Sequence, residues 1–173
     1  MFSVLVLLVV FSIHGITVNA AGDLVSGVCQ KTASSNPSVT YGFCSSSLQA
    51  NPKSRTSDIF GLGEISLQLS LSKAAYVTSR INSLKDGRIN PDVKATLNAC
   101  STYYRNVVSN VQGAINAFKG RDFASAGSQI ASALESAQDC KDGFVAGIVA
   151  PVEDDVEASI NLIYISFSIA GMN

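Results

Sequence analysis

From Val93 onward the apolar side chains fall at Val93, Leu97, Cys100, Tyr104, Val107, Val111, Ala114 and Phe118, in alternating steps of four and three. A strand cannot use that spacing, whereas an α-helix places all eight residues on one face, and the alternation is the seam of a left-handed helical bundle. Asn90 is the expected N-cap, Pro91 the first helical residue and Asp92 a complement to the positive end of the helix dipole, with Lys119-Gly120 as the stop. The same stepping recurs at Phe123, Ala126, Ile130, Ala133, Ala137 and Cys140, with Asp122 as N-cap. The short turn between these two segments makes them antiparallel. A third stripe reads Leu62, Ile65, Leu69, Ser72 and Tyr76 within 58–85, ended by Asp86-Gly87. A fourth reads Val149, Val152, Val156, Ile160, Ile163 and Phe167, following Pro151. The chain is therefore expected to be all-α, with an up-and-down four-helix bundle over residues 57–173.

Two pieces precede the bundle. Residues 24–48 read as two short helical segments around Asn36-Pro37, a helical hairpin occupying 21–50. Asn51-Pro52-Lys53-Ser54-Arg55-Thr56 follows as a polar link whose composition punctuates rather than packs. Residues 1–20 carry no charged side chain and close on Val18-Asn19-Ala20, the small-residue pattern of a signal-peptidase site, so they read as a removable secretory signal with cleavage after Ala20. Ser12, His14 and Gly15 interrupt an apolar stretch that is in any case short for a membrane span of about 20 residues. Secretion is the expectation, with residues 21–173 as one domain and no membrane contact after processing.

An even number of cysteines in an oxidising compartment reads as disulfides. Four cysteines allow three pairings, and the hairpins select among them. Cys100 and Cys140 each lie 20 residues from Gly120, so antiparallel helices bring them level. Cys29 and Cys44 flank Asn36-Pro37 in the same manner. The expected bridges are Cys29–Cys44 and Cys100–Cys140.

What the chain lacks narrows its chemistry. The only histidine, His14, leaves with the signal, which removes Ser-His-Asp and Cys-His arrangements. No C-x-x-C or similarly close pair offers a zinc site, and no cofactor motif is present: Gly61-Leu62-Gly63 lacks the third glycine and the Lys-Ser/Thr of a phosphate loop and reads instead as a close helix contact. Glu153, Asp154, Asp155 and Glu157 follow Pro151 in the first turns of a helix, where acids meet the dipole, so they read as a capping and solvated face rather than a catalytic pair. Twelve basic and thirteen acidic residues leave a net charge of −1, which argues against nucleic-acid binding. No catalytic residue, metal ligand or cofactor is expected. The best exposed candidate is the turn at Lys119-Gly120-Arg121-Asp122-Phe123, which sets charges and an aromatic at one end of a rigid scaffold.

Several local patterns are shared with a known family. Tyr41-Gly42-Phe43-Cys44, Leu97-Asn98-Ala99-Cys100 with Tyr103 and Tyr104, Asp122-Phe123-Ala124, Ser132-Ala133-Leu134 and Cys140-Lys141-Asp142-Gly143-Phe144 together resemble the plant invertase and pectin methylesterase inhibitors. The resemblance spans essentially the whole chain after the signal. It implies a non-enzymatic monomer that binds one-to-one to a secreted or vacuolar plant carbohydrate enzyme, an acid invertase first and a pectin methylesterase as the alternative. Invertase inhibitors of the family share a Pro-Lys-Phe turn; here the aligned residues are Arg121, Asp122 and Phe123, so the aromatic matches and an acid replaces the lysine. Methylesterase inhibitors are similar in carrying Asp followed by an aromatic. On this reading Asp122 and Phe123 are expected to influence target binding far more than stability. A reading of another class is a secreted pollen or seed binding protein with no enzyme target.

Overall fold

A computed structural model describes residues 20–144 and 152–173, with the side chains described from residue 24 onward. Residues 1–19 of the expected 1–20 signal, and the positions Val149 and Pro151, lie outside them. The helices are α1 (Ala20–Ser35), α2 (Tyr41–Gln49), α3 (Ile59–Lys85), α4 (Pro91–Lys119), α5 (Phe123–Asp142) and α6 (Glu153–Ala170). Among the described residues, α3 to α6 are the four helices that the periodicity predicts, and α1 and α2 form the helical hairpin expected around Asn36-Pro37.

The caps explain the boundaries. Thr40, Asp58, Asn90 and Asp122 each accept a hydrogen bond from a backbone N–H in the first turn of α2, α3, α4 and α5 respectively, satisfying a donor that the helix itself leaves unpaired. In the 51–56 link the expectation of a segment that does not pack is corrected: Pro52–Arg55 winds into one turn of 3-10 helix capped by Asn51. Buried Ser54 holds it by donating to the Leu48 carbonyl. A short polar side chain with a backbone acceptor in reach can be buried without loss.

Helix α4 packs against α3 and α5, and α6 completes the ring against the same two neighbours. Seven of the eight α4 seam residues are buried, Val93 at the rim being the partial exception, and five of the six α5 positions follow suit. Leu67, Ala74, Val77 and Ile81 of α3 and Val156, Ile160 and Ile163 of α6 close this main core. The disulfide Cys100–Cys140 ties α4 to α5 within it, and Cys29–Cys44 ties α1 to α2. The α1–α2 hairpin builds a second core, with Val25, Val28, Val39 and Leu48 packed on Leu62 and Ile65 of α3 and Ile165 and Ile169 of α6.

Two predicted stripes are corrected by this arrangement. On α3, Ser72 and Tyr76 are exposed, Tyr76 by 49%, while Ser66, Leu67, Ser70 and Ala74 are buried. The buried serines sit where α3 meets α6: Ser70 donates to the Ser66 carbonyl at 3.0 Å and lies 3.0 Å from Ser166 Oγ. Small hydroxyls let the helices approach while their polar atoms stay paired, so counting apolar residues traces the wrong face. On α6, Phe167 is 44% exposed, and Ile165 and Ile169 turn instead to the hairpin core.

The acids at the start of α6 also do more than meet the dipole. Asp155 lies 2.6 Å from Lys73 Nζ, with Arg80 Nε at 3.8 Å from its other oxygen, and Glu157 pairs with Lys141 at 3.2 Å. These contacts bind α6 to α3 and α5, and Lys73 also stands over the Tyr76 ring at 4.8 Å. The Tyr76 face is thereby partly covered by a cation rather than by the core.

Candidate functional site

The α4–α5 turn closes by backbone geometry that the residue types alone do not announce. Asp122 N–H donates to the Ala117 carbonyl at 3.0 Å and Arg121 N–H to the Phe118 carbonyl at 2.9 Å, the paired bonds of a Schellman closure. Its left-handed residue is Arg121, with φ of 60°, not Gly120, whose φ is −75°. A branched side chain tolerates that conformation poorly. Arg121→Val is expected to lower stability by about 1–2 kcal/mol, read from the urea midpoint; a shift no larger than that of Arg121→Gly would mean that the left-handed geometry is not maintained.

Beneath the turn three aromatic rings form a cluster. Phe118 stacks on Phe60 at 5.0 Å between centroids, and Phe123 meets Phe118 edge-on at 5.2 Å and Phe60 at 6.5 Å. Helix α3 supplies Phe60 and admits the Phe118 ring at Gly63, where a Cβ would stand 2.7 Å from Phe118 Cε1 and closer still to Cζ. The close helix contact expected at Gly61-Leu62-Gly63 is thus located at Gly63. The Arg121 guanidinium lies 4.6 Å from the Phe60 centroid, stacked on the outer face of the same cluster.

The three candidate residues therefore have separate duties. Phe123 is half-buried in the cluster. Asp122 caps α5, its carboxylate accepting from Ser125 N–H at 3.0 Å, and hydrogen bonding from Ser125 holds its carboxyl below the usual range. Arg121 is exposed and anchored only by stacking. Substitution of Asp122 or Phe123 consequently disturbs α5 or the aromatic cluster as well as any outer contact, and Arg121 is the cleaner reporter of binding. Because the Asp122 pKa is depressed in the fold, its contribution is present above the ordinary carboxylate range and is lost as pH falls through the folded value. Asp122→Ala is expected to shallow the acid-side decline of a stability-against-pH curve; an unchanged slope would count against the cap.

Among the described residues no group of three or more His, Cys, Asp or Glu is placed to hold a metal ion. The buried phenol of Tyr104 has its pKa pushed up by desolvation, with the neighbouring Ser159 hydroxyl pulling weakly the other way, so it stays protonated within the core. What the turn offers is a fixed shape with exposed Lys119 and Arg121 beside a capped carboxylate.

Comparison with known proteins decides the lineage. The profile of the family described as plant invertase/pectin methylesterase inhibitor matches residues 23–169. The chain belongs to that family. A protein of Platanus acerifolia named "Putative invertase inhibitor" is 38% identical over 151 residues, covering 86% of this chain and 84% of its own length. A "Pectinesterase inhibitor" of Actinidia deliciosa is 28% identical over 128 residues, covering 74% of this chain and 66% of its own. The crystal structure of a mutant form of an Arabidopsis pectin methylesterase inhibitor covers 86% of this chain and 95% of its own with a TM-score of 0.74; at 21% identity that likeness concerns the fold. Among the described residues no helix is long and apolar enough to cross a membrane.

Proposed function

We propose that this family member is a secreted, non-catalytic inhibitor that binds one-to-one to a plant acid invertase and blocks its active site, with Arg121, Asp122 and Phe123 at the contact. The observation that carries the choice of target is the 38% identity to the Platanus protein over most of both chains. The turn supports it physically: a Schellman closure, an N-cap and a three-ring cluster hold it in one shape, so little conformational entropy is lost on docking. Pectin methylesterase is the second target, favoured by the Asp-Phe pair; that Asp122 already serves as the α5 cap gives this residue a reason to be acid whichever enzyme is met. Secretion follows from the signal-like residues 1–20, and the remainder acts as a single monomeric domain.

Titrating the purified protein into acid invertase and, in parallel, into pectin methylesterase tests this directly. Invertase activity is expected to fall to a small residue near equimolar inhibitor, and Arg121→Glu is expected to weaken inhibition by about tenfold or more while the thermal midpoint moves little. Full invertase activity in the presence of excess protein would refute the assignment. Loss of methylesterase activity alone would transfer it to the second enzyme.

A further inference from the structure

A groove of about 320 Å³ opens beside the turn, between the 51–57 link, the first turns of α3 and the end of α4. Lys53, Lys119, Asn51, Gln68, Ser57 and Glu64 contribute polar side chains to it. The link that forms one wall is held in place. Asn51 accepts from Lys53 N–H at 3.0 Å through its carboxamide oxygen, Ser57 Oγ donates to the Lys53 carbonyl at 2.8 Å, and buried Ser54 pins the turn to Leu48. Asn51 keeps its amide N–H groups as further donors at the groove it lines, and the two lysines reach the groove from separate elements, the link and the end of α4.

Together these groups match a ligand that is both anionic and hydroxylated. Two ammonium groups against the single Glu64 carboxylate leave one net positive charge, suited to one sugar carboxylate seated in the groove rather than to a doubly charged group such as phosphate. Glu64 can accept only from hydroxyl donors, and Asn51 and Gln68 can pair with hydroxyls in either direction. The volume lies at the small end of ligand pockets, which run from about 300 to 1,000 Å³. We propose that this groove binds an acidic sugar, a hexuronate or short oligouronide, with its carboxylate between Lys53 and Lys119 and its hydroxyls on Asn51, Gln68 and Glu64. The site needs no target enzyme, so it stands or falls apart from the inhibitory reading.

The test is a titration of the ¹⁵N-labelled protein with digalacturonate at constant ionic strength, alongside lactose as a neutral disaccharide and inorganic phosphate as a sugar-free anion. Saturable amide shifts confined to residues 51–57, 61–68 and 119 are expected with digalacturonate, with affinity at least about tenfold above either control. Lys53→Gln/Lys119→Gln, both at exposed positions, is expected to remove that preference while leaving the thermal midpoint nearly unchanged. Equal affinity for phosphate would reduce the groove to a general anion contact, equal affinity for lactose would remove the role of the lysines, and the absence of saturation would exclude the site; each result overturns the proposal.

Discussion

Phe118→Ala is expected to destabilise the protein by about 3–5 kcal/mol, the cost of removing a large buried aromatic whose surroundings cannot fully collapse. Phe118 is 1% exposed and lies in contact with both other rings of the cluster. It also fills the space over Gly63, so its loss opens the junction of α3, α4 and α5 at once. A paired substitution sharpens the expectation. Gly63→Ala alone drives a methyl group into the Phe118 ring and is destabilising, whereas in the Phe118→Ala background the same methyl occupies vacated space. It then adds the helix preference of alanine over glycine, about 1 kcal/mol. The sign of the Gly63→Ala effect should therefore reverse between the two backgrounds when unfolding is followed in urea. Additive effects would show that the ring does not rest on Gly63.

Replacing both Cys100 and Cys140 by alanine ranks with that change. The bridge spans a sequence separation of 40 between two buried residues, and on the chain-entropy account such a loop contributes about 4 kcal/mol. For a domain of roughly 150 residues this corresponds to a fall of about 10 °C in the thermal midpoint, taking about 2–4 °C per kcal/mol. Alanine rather than serine keeps hydroxyls out of the main core. A calorimetric midpoint within about 2 °C of the parent protein would mean that the α4–α5 pairing restricts the unfolded chain even without the bond. Losing Cys29–Cys44, separation 15, should cost less, because it closes a shorter loop in the peripheral core.

The turn was identifiable from Gly120, with Asp122 recognisable as a cap, because capping depends on residues within one helical turn of one another. Its left-handed residue was not, since glycine is the usual occupant and here Arg121 takes the conformation, with its guanidinium stacked on Phe60 at the start of α3. The supporting ring and Gly63 lie over 50 residues upstream of Arg121. Only the isolated glycines hinted at a close approach there, and they did not name its partner. The groove around Lys53 and Lys119 was equally hidden, since a polar link shows no periodicity from which packing can be read.

The helices, the Asn90 and Asp122 caps and both disulfide pairings are legible in the residues, because a 3.6-residue period, a first-turn hydrogen bond and the symmetry of a short hairpin are all local or nearly local properties. Which face of α3 is buried, and which way the end of α6 turns, depends on the elements packed against them. There Ser66, Ser70 and Ser166 replace larger apolar residues at the interface, and a second core draws Ile165 and Ile169 away from the bundle axis. The physical reason is that helix approach selects for small volume and satisfied hydrogen bonds as well as for apolarity, and those demands come from the partner helix.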